Sequence, residues 1–255
     1  MSRPQPSGPS VPLDRLPFLL GVVAVIVTGL VFAAIGLNRV AGQGSPPGVP
    51  TPVAQSTPTP TPSSSSSSPS PASLATTTCQ GVHFGAALQP RDQPADVHKY
   101  AAAPATQIDA SKLYEATIAT AKGTMVVCLQ PSLAPATVNN FVVLARNHFF
   151  DGLTFHRVEA GFVIQGGDPL GSGSGGPGYQ FADEPVTGTY TVGTVAMANS
   201  GANTNGSQFF VCIGSGCSSL QPKYNLFGHL VSGLDVALRI AKGDVMTSVT
   251  VTEQS

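Results

Sequence analysis

A long apolar segment stands near the start of this chain of 255 residues, from Leu16 to Leu37. Its 22 residues carry no charge, and as a helix they would extend roughly 33 Å, enough to cross a hydrocarbon core of about 30 Å. The pattern predicts a transmembrane helix over residues 16–37, preceded by a short cytoplasmic segment, residues 1–15. A cleaved signal peptide is the alternative, because Val40-Ala41-Gly42 leaves a cleavage site open. The apolar region of a signal peptide, however, usually spans only about 7–15 residues.

Positive charge is distributed unevenly around this apolar segment. Arg3 and Arg15 precede it, whereas Arg39 alone follows directly. Because cytoplasmic flanks carry the excess of Lys and Arg, the amino terminus is predicted to lie in the cytoplasm. We therefore expect a single-pass protein of the cell membrane whose folded part is extracytoplasmic.

Polar, proline-rich sequence follows over residues 38–78, with a Thr-Pro repeat at 57–62 and a serine run at 63–68. Such a composition buries too little apolar surface to offset chain entropy, so it predicts a disordered linker, stiffened towards polyproline II. A docking site for a proline-binding module or a glycosylated stalk is the alternative. Residues 79–111 lack strong periodicity and are interpreted as an extension of the folded domain.

Alternating apolar and polar positions mark residues 112–254 as a β-rich domain. Residues 114–120 and 124–129 read as two strands joined around Lys122-Gly123, which predicts a hairpin. Short strands with glycine-rich turns continue to Leu230, and residues 247–251 form a closing strand.

Two helices interrupt these strands. Pro135 stands at a first-turn position, where its missing N–H costs nothing. Apolar residues then recur at helical spacing and give one apolar face: Val138, Phe141, Val142, Leu144 and Ala145. A second helix is predicted to start near Leu234. Many short strands with two helices fit a closed barrel capped by helices.

Charge and cysteine content narrow the function classes. The formal net charge is −1 and only 10% of residues are charged, so the chain lacks the basic surface of a nucleic-acid binder. The cysteines at positions 79, 128, 212 and 217 allow three pairings, and the sequence does not choose among them. In an oxidising compartment Cys79–Cys128 with Cys212–Cys217 is the most economical set. Buried free thiols are the alternative, and the spacing fits no zinc motif.

Two blocks carry the candidate chemistry. The first, residues 155–168, reads FHRVEAGFVIQGGD, and the second comprises Met197-Ala198-Asn199 and the stretch NTNGSQFF at 203–210. They set an arginine, amides and aromatic rings in short β-like segments with almost no other charge nearby. Such a site can hold an apolar ring and hydrogen-bond a peptide backbone, but it offers no nucleophile, metal cage or carboxylate pair.

In this order the two blocks closely resemble the cyclophilin family of peptidyl-prolyl cis–trans isomerases, over approximately residues 112–254. The resemblance implies a mainly β fold, a closed eight-stranded antiparallel barrel capped by two helices. It also implies catalysed rotation about X-Pro bonds, which is otherwise slow over a barrier of about 18–20 kcal/mol, without cofactor or metal.

The expected partners are proline-containing polypeptides and, through the single helix, the membrane. We expect a monomeric isomerase or folding chaperone that assists folding of exported or cell-envelope proteins. The alternative is a membrane-tethered module that binds proline peptides with little turnover.

Residue roles follow from the resemblance, position by position. Arg157 is implied as the arginine that stabilises the twisted amide, in a catalytic group with Phe162 and Gln165. The implied socket for the proline ring is formed by Phe162, Phe210 and Leu220. Ala198 lines the subsite for the preceding residue, and the substrate backbone is held by Gln165, Asn199 and Gln208.

The chain departs from the family at three positions near this site. Val163, counted with the substrate-binding residues, replaces a frequent methionine, and Ser219 stands where animal-type members have tryptophan. Tyr224, also counted as substrate-binding, replaces a frequent histidine, as in bacterial-type relatives. These changes bear on inhibitor affinity and substrate range more than on activity. The glycine-rich stretch at 171–176 resembles the flexible loop beside the cyclophilin groove.

Overall fold

The structure, a computed structural model, describes residues 79–255. The predicted transmembrane helix and proline-rich linker lie outside these residues. Within the described range no helix is long and apolar enough to cross a bilayer.

The strands are β1 Phe84–Ala87, β2 Tyr114–Thr120, β3 Gly123–Leu129, β4 Arg157–Glu159, β5 Val163–Gly166, β6 Thr194–Met197, β7 Phe209–Cys212, β8 Leu226–Ser232 and β9 Met246–Gln254. The helices are α1 Pro135–Arg146, α2 Leu234–Ala237 and a 3-10 helix, Ser215–Ser219.

All nine strands belong to one antiparallel sheet with the order β1-β9-β2-β3-β8-β6-β7-β5-β4. The mainly β prediction is confirmed, and residues 112–254 contain eight strands as predicted, but the prediction of a closed barrel was wrong. The additional strand is β1, which lies in the extension, and β1 and β4 end the ladder. The segments before β4 and β9, residues 152–155 and 243–246, exchange four backbone hydrogen bonds of 2.8–2.9 Å. These segments are irregular and form a single isolated bridge, so they do not continue the strands and the sheet stays open between its edges.

The predicted first hairpin is confirmed as β2 and β3, paired from Tyr114↔Leu129 to Thr120↔Gly123. Alternate residues of β2 are fully buried, because successive side chains of a strand point to opposite faces. Gly123 at the turn has φ +126°, and a Cβ there would lie 2.9 Å from Val236 Cγ2. Glycine therefore permits both the turn and the close approach of α2.

Helix α1 begins at Pro135, as predicted, and seals one end of the core. Phe141 on its apolar face stacks on Phe150 with ring centroids 4.9 Å apart and meets Phe209 edge-on at 5.4 Å. The first-turn N–H groups of Ala136 and Thr137 donate to the Glu184 carboxylate at 2.9 and 2.8 Å. Glu184 lies far along the chain, so a distant carboxylate satisfies otherwise orphaned donors at the positive end of the helix.

Residues 79–111 wrap around the polar side of α1 instead of trailing from the domain. Asn139 Oδ1 accepts from the Gln107 N–H at 2.7 Å, and Asn147 Oδ1 accepts from the Arg91 N–H at 2.9 Å. The extension is also bound to the sheet, because Cys79 and Cys128 of β3 form a disulfide. The Tyr100 N–H donates to Pro177 O at 2.8 Å, which ties the extension to the end of the glycine-rich loop. The extension is therefore an integral part of the fold.

Candidate active site

The β4–β5 hairpin places the predicted arginine. Arg157 pairs with Gln165 and Glu159 with Val163 across this hairpin. Side chains alternate along a strand, so Arg157 and Glu159 share the outer face. Val158, between them, packs against the main core. The pairing brings Gln165 directly beside the guanidinium, whose Nη1 donates to Gln165 Oε1 at 3.0 Å.

Three groups surround the guanidinium of Arg157. Gln165 binds Nη1, while Glu159 Oε1 accepts from Nε at 2.8 Å and lies 2.7 Å from Nη2. The guanidinium carbon lies 5.6 Å from the centroid of the Phe162 ring, within the range of a cation–π contact. The arginine side chain remains 44% exposed, so a ligand can still reach the group.

A relay of amides extends from Gln165 away from the arginine. Gln165 Nε2 donates to Gln208 Oε1 at 3.0 Å, and Gln208 Nε2 donates to the carbonyls of Gly173 and Gly175 at 3.0 and 2.9 Å. Each amide nitrogen therefore has an acceptor within the protein. The relay orients Gln165 towards the arginine and connects it to the glycine-rich loop.

That loop is organised by a buried carboxylate, Asp168, which is 1% exposed. Asp168 accepts from the N–H groups of Leu170 at 2.7 Å and Ser172 at 2.9 Å, and also from Gly173. Burial by itself would raise the pKa of Asp168, but these backbone donors together hold its pKa below the ordinary value. The carboxylate consequently stays ionised and shapes the loop beside the groove.

Aromatic side chains form an apolar pocket next to the arginine. Phe210 of β7 is 5% exposed and meets Tyr224 edge-on, with ring centroids 5.6 Å apart. Tyr190 supports this pair from below, because its hydroxyl donates to Tyr224 O at 2.7 Å and accepts from the Tyr224 N–H at 3.0 Å. Apolar side chains packed with Phe210 in the same cluster include Phe162, Val163, Ala198 and Leu220.

A disulfide lies at the base of this pocket. Cys212 at the end of β7 is bonded to Cys217 in the 3-10 helix, and both are fully buried in the cluster that contains Phe210. The Leu220 N–H donates to Cys217 O at 3.0 Å, and the Ile213 N–H donates to Phe162 O at 2.8 Å. The disulfide loop therefore supports two of the predicted socket residues through the backbone.

Comparison with known protein families shows the family of this chain. The family model for cyclophilin type peptidyl-prolyl cis–trans isomerases matches residues 115–254, more than half of the chain. The chain belongs to the cyclophilin family. It is therefore a peptidyl-prolyl cis–trans isomerase, as its sequence motifs indicated.

Bacterial relatives and a solved cyclophilin structure agree with this assignment. Peptidyl-prolyl cis–trans isomerase B of Bacillus subtilis is 46% identical over 125 residues, 48% of this chain and 87% of the relative. The isomerase B of Streptomyces anulatus is 47% identical over 141 residues, 49% of this chain and 79% of the relative. A cyclophilin type isomerase from Cryptosporidium parvum matches in structure with a TM-score of 0.50 and 30% identity. That match covers 55% of this chain and 97% of the other.

The structure of this cyclophilin brings the sequence-predicted site residues into one region. A groove of about 550 Å³ is lined by nine of them: Arg157, Phe162, Val163, Gln165, Ala198, Asn199, Phe210, Leu220 and Tyr224. Gln208 lines a smaller, adjoining cavity of about 170 Å³, which shares Gln165, Ala198 and Asn199 with the groove. Both disulfides are present in the pairing named above as the most economical.

Three further groove residues of this cyclophilin carry ionisable side chains and were not singled out from the sequence: His156, Glu159 and Lys242. His156 is 8% exposed, and burial lowers its pKa, although the nearby Asp168 acts in the opposite direction. Strand alternation was the available signal for Glu159, because it places residues 157 and 159 on the same face. No local pattern marks Lys242, which reaches the groove from a distant part of the chain.

Proposed function

We propose that this cyclophilin speeds X-Pro rotation with Arg157 as its catalytic donor, and that its clients are extracytoplasmic. The observation that carries the mechanism is the position of the guanidinium, directly beside an apolar pocket and held by Gln165. A planar prolyl amide delocalises its nitrogen lone pair into the carbonyl. At the twisted state this resonance is lost and the nitrogen becomes a hydrogen-bond acceptor.

Arg157 acts on that difference between the planar and the twisted amide. Its N–H groups stabilise the localised lone pair, an interaction that the planar ground state does not offer. Only interactions stronger in the transition state than in the ground state raise the rate of the chemical step. The guanidinium is always charged and is already oriented by its neighbours, so little reorganisation precedes the reaction.

The remaining groove residues hold the substrate in this mechanism. The proline ring enters the pocket formed by Phe162, Phe210 and Leu220, where burial of its apolar surface supplies binding energy. Ala198 lines the subsite for the preceding residue. The backbone N–H and C=O of Asn199 make no hydrogen bond within residues 79–255, so they are available to pair with an extended substrate. The Asn199 side chain is occupied, since its Nδ2 donates to Lys223 O at 2.8 Å.

An isomerisation assay on the purified full-length chain tests this function. A protease-coupled measurement with an Ala-Pro or Leu-Pro tetrapeptide should show acceleration without added metal or nucleotide. A folded protein that binds the peptide and leaves the uncatalysed rate unchanged would support the alternative, a proline-binding module with little turnover. The retained Arg157, with its two phenylalanine partners, favours the enzyme.

The extracytoplasmic, tethered location is part of the proposal and rests on four features. The charge-free segment 16–37 is long enough for a membrane anchor, and Arg3 and Arg15 favour a cytoplasmic amino terminus. The two disulfides fit an oxidising compartment, where such bonds persist. The composition of residues 38–78 predicts a linker that would give the domain reach from the membrane, so newly exported polypeptides are the proposed substrates.

A further inference from the structure

The Arg157 side chain has a second protein partner that the reaction as described does not use. Arg157 and Glu159 stand two residues apart in β4, on the same face of the strand. Glu159 Oε1 accepts from Arg157 Nε at 2.8 Å and lies 2.7 Å from Nη2. Glu159 also lines the groove, so its carboxylate sits inside the substrate-binding region.

The contacts of Glu159 and Gln165 fall on different sides of the guanidinium. Gln165 holds Nη1, whereas Glu159 holds the Nε and Nη2 edge. One hydrogen bond to Nη1 leaves the planar group free to rotate, while contacts on two sides define its plane. Because Nη1 and Nη2 each carry two N–H groups, both retain at least one for a substrate.

Glu159 is itself held by the turn that carries the socket phenylalanine. The Phe162 N–H donates to Glu159 O at 3.0 Å, and the Gly216 N–H donates to Gly161 O at 3.1 Å. The backbone of Glu159 is therefore anchored to the disulfide loop through this turn. The Glu159 side chain therefore links the orientation of the Arg157 guanidinium to the position of Phe162, whose ring centroid lies 5.6 Å from the guanidinium carbon.

We propose that Glu159 is a positioning residue for the isomerase reaction, which sets the plane of the Arg157 guanidinium over the proline pocket. The proposal rests on the proposed catalytic role of Arg157. A peptide substrate offers neutral acceptors, which are weaker partners for a guanidinium than a carboxylate. Glu159 therefore stays bound to the arginine during turnover, and the substrate uses the remaining N–H groups.

Alanine and glutamine variants separate the geometric role of Glu159 from its charge. Glu159→Ala should lower kcat by about three- to tenfold and change KM less than about twofold, because misorientation of a catalytic group affects the transition state more than ground-state binding. Glu159→Gln keeps an oxygen that can accept from Nε and Nη2, so it should retain at least about half of the kcat. A Glu159→Gln variant as slow as Glu159→Ala would instead assign the effect to charge and overturn the positioning role.

A matched control is available among residues that do not line the groove. Asp235 of α2 makes a comparable exposed ion pair, at 2.9 Å, with Arg239, which follows the end of that helix. Asp235→Ala should leave kcat and KM unchanged, since neither partner lines the groove. Folding of every variant is compared by circular dichroism and thermal unfolding of the full-length protein.

A double-mutant cycle with Arg157→Ala completes the test, with residual activity measured at raised enzyme concentration. If Glu159 acts through the arginine, Glu159→Ala should cause no further loss in the Arg157→Ala background. An equal loss in both backgrounds would mean a structural role, and a raised kcat in the single variant would mean that the carboxylate masks the arginine. Either result, or wild-type kcat in Glu159→Ala, overturns the proposal while the role of Arg157 stands. Normal activity of Arg157→Ala would instead overturn the proposed function itself.

Discussion

At the scale of single residues, different groove residues determine the rate of isomerisation and the affinity for substrate: a charged donor and apolar rings, respectively. Arg157 is exposed and bound by polar neighbours, whereas Phe210 is almost completely buried among aromatic side chains. Arg157 can respond to charge that develops in the reaction. Phe210 offers the same surface to a proline ring whether the amide is planar or twisted.

Arg157→Ala should lower kcat/KM by about 10²–10³-fold, or roughly 3–4 kcal/mol, as loss of a preorganised donor does at other charge-developing sites. Affinity for a proline peptide should change much less, because the apolar pocket is untouched. Protease-coupled kinetics and calorimetric titration of the same variant measure the two quantities. Near-normal turnover in a folded variant would show that Arg157 does not have the assigned role.

Phe210→Ala complements Arg157→Ala, because it should affect peptide binding more than turnover. Removing the ring takes away part of the proline pocket, so peptide affinity should fall, with a smaller effect on the turnover of bound substrate. The buried ring also contributes to stability, and truncation of a core phenylalanine typically costs about 3–5 kcal/mol. Kinetics must therefore be measured where unfolding experiments show the variant to be native.

At the scale of elements, the two disulfides serve different parts of the molecule. Cys79–Cys128 joins the start of the extension to the middle of the sheet, at a sequence separation of 49 residues. Cys212–Cys217 closes a loop with a separation of 5 residues beneath the proline pocket. In a chain-entropy description the longer closed loop contributes more stability, about 4 kcal/mol against about 2 kcal/mol for the shorter one.

Replacing each cysteine pair by alanine should therefore give opposite results. Without Cys79–Cys128 the protein should lose more stability and keep its peptide affinity, since that bond lies outside the groove. Without Cys212–Cys217 it should lose less stability but more affinity, because Leu220 and Phe162 are held by that loop. Denaturant unfolding and peptide titration of the two double variants form the comparison. Equal affinity loss in both would contradict the assignment of the short loop to the groove.

How far the sequence predicts each element depends on where its stabilising contacts come from. Helix α1 and the β2–β3 hairpin were predictable because their patterns are local: a first-turn proline, helical spacing and a glycine turn. Strand β1 has the sequence Phe-Gly-Ala-Ala, which carries no alternating pattern, and its pairing with β9 joins residues at opposite ends of the domain. The buried polar face of α1 was equally hidden, since its partners are backbone groups of the extension.

The candidate site follows the same rule. The nine predicted residues that line one groove were assigned from the family resemblance, and the pairing of β5 and β6 with β7 brings their distant segments together. Strand alternation places Glu159 on the same face as Arg157, but their contact depends on side-chain rotamers. Lys242 reaches the groove through tertiary packing, which no local pattern shows. The prediction of a closed barrel was wrong because only irregular segments, residues 152–155 and 243–246, exchange hydrogen bonds across the opening. Alternation of apolar and polar residues does not show where a strand gives way to such a segment.

At the scale of the whole molecule, acidification should weaken the fold. Burial lowers the pKa of His156 and of His229 below the ordinary histidine value. Below about pH 6.5, the usual pKa of an exposed histidine, the unfolded chain then binds more protons than the folded chain. The stability that both groups contribute is fully present above that pH and is lost as the pH falls towards their folded pKa values.

Denaturant unfolding of the purified protein at pH 7.5 and pH 5.5 checks this expectation. The free energy of unfolding should be lower at pH 5.5, and His229→Asn should reduce the difference, since position 229 then no longer titrates. His229 lies in β8, away from the groove, so this variant should keep its activity at pH 7.5. An unchanged stability between the two pH values would exclude a contribution from the two histidines.

The proposed topology predicts a specific pattern of proteolysis. Protease added to intact spheroplasts should release the cyclophilin domain from the membrane by cutting within residues 41–78, which are predicted to be a disordered linker. The released fragment should keep isomerase activity, and a cytoplasmic marker protein should remain intact as the control. Protection of the domain until the cells are lysed would place it on the cytoplasmic side.

The position of Cys79 also has a mechanical meaning for a tethered protein. A pull transmitted along the chain preceding residue 79 meets a covalent bond to Cys128 before it meets any hydrogen-bonded strand. Cys128 belongs to β3, which is flanked by β2 on one side and β8 on the other. Tension therefore enters the sheet through an interior strand and bypasses β1, the four-residue edge strand that would otherwise be peeled away first. While this bond is intact, a pull applied before residue 79 would load the disulfide and β3 before it could peel β1 from the edge of the sheet.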